Sequence, residues 1–133
     1  MNKLSLAVAA VALSSCSGGE NLDSADKAVE RFHQQLNAGE FNAIYTQASP
    51  ALRSATSQGD LIKLLTAIRS KLGPFKSGTR NSWRVNYGTN ANTVILFDST
   101  YERGKAQETF TFENEPNAPL IGYNINSPTL VTG

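Results

Sequence analysis

The chain has 133 residues, of which 40% are hydrophobic and 17% charged, with one Cys, one His, one Trp and a formal net charge of +1. That length and balance describe one ordinary folding domain and exclude a disordered or collagen-like chain. A single Cys excludes an intramolecular disulfide and a multi-thiolate zinc site, and no cofactor or metal is expected.

Met1-Asn2-Lys3 opens the chain with a positive charge, and Leu4 to Leu13 (LSLAVAAVAL) is an uncharged run of ten residues ending at Ser14-Ser15-Cys16. This is the pattern of a secretory signal. As helix the run would span only ~15 Å of a ~30 Å hydrocarbon core, too short for a transmembrane segment. Leu13-Ser14-Ser15-Cys16 resembles the bacterial lipobox. The resemblance implies that residues 1–15 are removed and that Cys16 carries the lipid, holding the domain on the periplasmic side of a bacterial envelope. Ser17, in a place where Asp would favour the inner membrane, implies the outer membrane. The competing reading of Cys16 is an idle thiol in a cytoplasmic protein. Cleavage before Cys16 removes Lys3 and leaves eleven basic and eleven acidic side chains, so nucleic-acid binding is not expected. Residues 16–23 read as the lipidated Cys and a flexible polar tether, and residues 24–133 as one domain.

Asp23 or Ser24 caps an expected first helix with Ala25, Val29, Phe32 and Leu36 on one stripe, ended near Gly39. Phe41, Ile44, Tyr45 and Ala48 mark a second, stopped at Ser49-Pro50. The stretch from Ala51 to Gln58 is ambiguous. Asp60 caps a third helix carrying Leu61, Leu64, Leu65, Ile68 and Leu72, ended by Gly73-Pro74. Beyond Phe75 the apolar period changes to two. Trp83, Val85 and Tyr87 alternate with polar residues, and Thr93 to Tyr101, Ala106 to Glu113 and Leu120 to Ile125 are further strands between turn-rich segments. Helices first and strands after predict an α+β fold, three N-terminal helices on one face of a four-stranded antiparallel meander.

Pairing Tyr87 with Thr93, placing a two-residue turn at Arg103-Gly104 and looping from Asn114 to Pro119 aligns Trp83, Phe97, Phe110 and Tyr123 in one row. Val85, Ile95, Phe112 and Ile121 form a second row on the same face. The helical stripes supply enough large side chains to cover both rows without disulfide or metal.

From Ala25 to Ile125 the chain resembles small bacterial lipoproteins of the nuclear-transport-factor-like, or cystatin-like, superfamily. The resemblance rests on Asn37-Ala38-Gly39-Glu40-Phe41, Lys71-Leu72-Gly73-Pro74-Phe75 and Ile121-Gly122-Tyr123-Asn124-Ile125. It implies a cone-shaped sheet wrapped on a helix, whose interior is an enzyme pocket, a binding site or simply filled.

His33 is the sole imidazole, so any His-dependent mechanism must use it; its plain reading is a helix-flank residue beside Phe32. Glu108 shares the core face with Phe110 near Tyr101 and Asn81. At the edge of an apolar pocket its pKa would be raised by desolvation and it could act as a base or polar anchor; at a wet end of the sheet it would simply be solvated. Asn81, Tyr45, Tyr101 and Glu108 are the candidate pocket residues. From Lys63 to Arg84 there are six basic residues and no acidic one. That stretch reads either as a face for anionic headgroups or an acidic partner, or as a solvated face with local pairs such as Arg84 with Asp98. Val94 and Leu96 fall on the outer sheet face, where they could pair two copies into a homodimer or lie under the tail from Ser127 to Gly133. Ser24-Ala25-Asp26-Lys27 has a Ser-x-x-Lys spelling without its companion motifs, and helix capping accounts for it.

The expected function is a lipid-anchored, non-catalytic module binding an envelope protein or an apolar small molecule. The alternatives are a small cone-type enzyme performing isomerase- or dehydratase-like proton transfer with Glu108 or His33 as base, and an inhibitor or immunity lipoprotein. A cavity of ~300 Å³ or more with His33 or Glu108 in its wall would favour a small-molecule site.

Overall fold

The computed structural model describes residues 18–132; the expected signal segment and Cys16 lie outside them. Among the described residues, α1 (Gly18–Ala38), α2 (Phe41–Thr46), α3 (Pro50–Ala55) and α4 (Gln58–Leu72) precede β1 (Phe75–Asn86), β2 (Asn92–Tyr101), β3 (Gly104–Glu113) and β4 (Leu120–Asn126), and α5 (Pro128–Thr132) follows. The strands form one antiparallel sheet in the order β1-β2-β3-β4. The protein is thus an α+β domain in which helices cover one face of a four-stranded meander. No helix among the described residues is long and apolar enough to cross a membrane.

Local chemistry explains where these elements begin and end. α1 already includes Gly18, ahead of the expected cap at Asp23 or Ser24. Leu22, three residues before Ala25, packs against the core and carries the apolar stripe back by a turn. The last residues assigned to a tether are therefore helical. Gly39, with φ of 75°, ends α1 in the left-handed conformation that glycine adopts without Cβ strain. The stretch with no assignment forms α3: Ser49 caps it, its Oγ accepting from Ala51 N at 3.1 Å, and Pro50 occupies the first turn, where no backbone donor is needed. α4 is capped by Ser57, whose Oγ accepts from Asp60 N at 3.1 Å, so Asp60 lies in the first turn and Ser57 is the cap.

The core joins the two layers. Phe32 and Leu36 of α1 and Leu65, Ile68 and Leu72 of α4 lie buried with Ile95, Phe110 and Phe112 of the sheet. Phe32 meets Phe110 edge to face at 5.1 Å. Each such side chain contributes ~1.5–3 kcal/mol through its removal from water.

The inward parity of β2 and β3 is as expected, but the pairing differs and the parity at the start of β4 shifts. Trp83 pairs with Ile95 and Ile95 with Phe110, where Phe97 and Phe112 were the expected partners. Phe110 does oppose Tyr123, while an irregularity between Thr111 and Phe112 brings Leu120, rather than Ile121, opposite Phe112. β1 begins at Phe75, eight residues before Trp83, and its register shifts between Arg80 and Ser82. Trp83, expected in a covered row, is 53% exposed, with the Arg80 guanidinium 4.6 Å from its ring centroid. Asp98 opposes Thr79 and bonds Asn81 and Gln107, so the expected Arg84–Asp98 pair is absent. Val94 and Leu96 are half-buried on the outer face. The tail forms α5, which packs against α4 and β3.

Candidate functional site

The polar centre of the molecule lies inside this apolar sandwich. On α1, His33 sits four residues after Val29, so the imidazole is carried inward beside the core stripe. On β2, Ser99 and Tyr101 are two residues apart and share the inner face. On β3, Glu108 opposes Phe97, with Ser99 on the diagonal, and on β4 Tyr123 opposes Phe110. Four elements thus aim polar groups at one point.

That point is the Glu108 carboxylate, which is 0% exposed. His33 Nε2 lies 2.8 Å from Oε1, and Ser99 Oγ donates to the same oxygen. Tyr101 donates to Oε2 at 2.8 Å, and the Tyr123 hydroxyl donates there as well. A carboxylate offers about four lone-pair positions, and all are taken. Because an ionised carboxylate only accepts, Nε2 of His33 carries a hydrogen, and Nδ1 is the ring nitrogen with no partner among the described residues.

The electrostatics follow from this saturation. Burial alone would push the Glu108 pKa upward, as the sequence suggested. The hydrogen bond from His33, the attraction of its ring when protonated, and the Ser99 and Tyr123 hydroxyls outweigh it and hold the carboxyl below its ordinary value. Burial and the Glu108 charge push Tyr101 and Tyr123 well above the usual phenol range, so both stay protonated donors. Glu108 is consequently a poor base: it could take a proton only by losing a bond.

His33 is 3% exposed and clamped by rings. Phe75 stacks on it at 3.7 Å, with planes 5° apart, and Phe32 meets it edge to face at 5.6 Å. Its plain reading as a flank residue gives way to a buried, oriented imidazole. A pocket of about 330 Å³ opens between α1 and the β1–β2 edge, with His33 in its wall. Val29, Phe75 and Phe97 make its apolar sides, while Asp26, Glu30 and Arg80 bring the charges. Arg80 Nη1 is paired with Asp26 Oδ2. Hollows of about 460 and 440 Å³ involve the Asn90–Asn92 turn and the Asn114–Glu115 loop; their linings contain no buried titratable side chain.

No family model, curated protein or solved structure matches this chain. The site therefore stands on its geometry.

Of the residues named from the sequence, His33, Tyr101 and Glu108 come together. Asn81 is exposed and donates to Asp98 Oδ2 at 2.9 Å. Tyr45 reaches the Thr56 carbonyl at 3.0 Å and the Arg53 carbonyl at 3.3 Å, fastening α2 to the end of α3. Neither lies at Glu108. Ser99 and Tyr123 complete the site without having been proposed for it, although strand parity already put both on the inner face. Asp26 and Arg80 are 54 residues apart, and no local pattern links them. Among the described residues no group of three or more His, Cys, Asp or Glu side chains could hold a metal ion.

Proposed function

We propose that the protein is a lipid-anchored binding module of the bacterial envelope, tethered through Cys16, that holds an apolar small molecule in the pocket between α1 and the β1–β2 edge. The observation that carries this reading is His33: a buried imidazole in the wall of a pocket of about 330 Å³, fixed through Nε2 by Glu108 and without a partner at Nδ1 among the described residues. The volume falls within the range typical of small-molecule sites, which combine apolar walls with a few placed polar groups. Because Glu108 is saturated, the imidazole serves as a polar anchor rather than as half of a proton relay. The α+β architecture is compatible with the cystatin-like superfamily, to which we assign the chain on the motifs given above.

A second reading, proton transfer by a cone-type enzyme, draws on the same unpartnered Nδ1 held by an orienting carboxylate. The two differ in whether a bound molecule is changed.

The sole imidazole gives a direct test. Titrating a panel of monocyclic aromatic compounds into the full chain, while following the imidazole nitrogen resonances, should produce saturable shifts with some members and no turnover. A panel that leaves those resonances unmoved removes the binding reading, and product formation favours the enzyme. For the anchor, cells labelled with palmitate should yield labelled wild-type chain in the membrane fraction and unlabelled Cys16→Ser chain.

A further inference from the structure

The pocket also carries a signature of what enters it, an inference that rests on the binding reading above. Three carboxylates surround it and one guanidinium answers them. Asp26, Glu30 and Arg80 line the pocket, and Glu108 lies directly behind His33. Arg80 is committed: its Nη1 is paired with Asp26, and its guanidinium lies over Trp83 at 4.6 Å. Glu30 is exposed and has no hydrogen-bond or ion-pair partner among the described residues. A proton on His33 would still leave the balance negative. A cleft whose charges sum to a negative balance favours a cationic occupant.

Hydrogen-bond polarity points the same way. In the neutral form of His33, with its hydrogen held on Nε2, Nδ1 presents a lone pair, and Glu30 presents only acceptor oxygens. The two residues are three apart on α1, which places their Cβ atoms about 5–6 Å from one another on one face, within reach of a single small group. The site offers acceptors and asks for donors. Its walls add Phe75 and Phe97, and aromatic faces attract organic cations.

We propose that the occupant is a small organic cation, a molecule with an apolar body and one protonated amine. Its body lies against Val29, Phe75 and Phe97, and its ammonium donates toward Glu30 and His33 Nδ1. The Asp26–Arg80 pair neutralises itself and leaves Glu30 as the charge the ligand meets.

Three probes of similar size separate charge from shape: 2-phenylethylamine, 2-phenylethanol and 3-phenylpropionate. Each is titrated into the full chain by calorimetry, with the imidazole resonances of His33 followed in parallel. The amine should bind at least about tenfold tighter than the alcohol, with the carboxylate weakest, and should shift the His33 signals. Glu30→Gln, at an exposed helix position, should bring the amine down to the affinity of the alcohol and leave the alcohol unchanged. Equal binding of amine and alcohol, tighter binding of the carboxylate, or an amine affinity indifferent to Glu30→Gln overturns the cation proposal. In each of those cases shifts at His33 would keep the pocket reading intact. If none of the three probes moves the His33 signals, the cation proposal falls, and the broader aromatic panel decides the pocket reading separately.

Discussion

Tyr101 and Tyr123, on strands that flank β3 from opposite sides, donate to the same oxygen, Oε2 of Glu108. The shared acceptor requires both phenols to remain protonated. Burial and the adjacent carboxylate raise both above the ordinary value of 10. A group raised in the folded state contributes stability that is fully present below its unfolded pKa and is lost as pH rises above it. Tyrosinate absorbance of the native chain should therefore stop short of the four phenolates that the denatured chain gives, with the remainder appearing only as the fold is lost. Full ionisation before unfolding would contradict the shared acceptor.

Removing that acceptor should be severe. Glu108→Ala leaves an imidazole and three hydroxyls facing a void, and loss of one partner from a buried charged cluster costs about 3–5 kcal/mol. Glu108→Gln keeps the volume but turns amide hydrogens toward donors, and should cost less than Ala while still lowering the midpoint. Urea unfolding should show both midpoints reduced with an unchanged slope. A wild-type midpoint for Glu108→Ala would mean that the four hydrogen bonds contribute no net stability.

The same carboxylate sets an acid limit of the opposite sign. Its folded pKa lies below the ordinary 4.5, so its contribution is present above that value and disappears as pH falls through the folded pKa. The stability gap between wild type and Glu108→Gln should be widest above the ordinary carboxyl range and should narrow as pH falls below 4.5 through the lowered folded pKa. A gap that stays constant over this range would assign the loss to shape rather than charge.

Strand parity made half of this site legible in the sequence. Glu108, Phe110, Ser99 and Tyr101 share a face because side chains alternate along a strand, whatever the pairing. Pairing is a separate matter, since a shift of two preserves parity and leaves the hydrophobic pattern indifferent. Between β2 and β3 the choice is made elsewhere in the chain. Glu102 N donates to the Pro74 carbonyl at 2.9 Å and Arg103 N to that of Leu72 at 2.8 Å, so the end of α4 holds the Glu102-Arg103 turn and Tyr101 pairs with Gly104. Between β1 and β2, the Asn86 side chain bonds that of Asn92 at 2.8 Å while Asn114 Nδ2 reaches the Asn86 carbonyl at 3.1 Å. His33 was visible as the only imidazole, but its contact with Glu108 spans 75 residues. Nothing local to either residue encodes that contact.

Gly78 ties the edge strand to the pocket. A Cβ built there would lie 2.4 Å from the Phe97 ring and 2.7 Å from the Asp98 carbonyl oxygen. The ring could turn away, but a backbone carbonyl inside a ladder cannot, so any side chain must push β1 outward from β2. Gly78 and Phe97 both line the pocket, so the same displacement alters its wall. Gly78→Ala should cost about 1–3 kcal/mol, the usual scale for overpacking, and should weaken any ligand that shifts the His33 resonances. Thr79→Ala, at the next and exposed position of the strand, should do neither. If Gly78→Ala unfolded at the wild-type urea midpoint and bound with unchanged affinity, the β1–β2 contact would not be the tight wall described above, and the pocket would owe its shape to α1 alone.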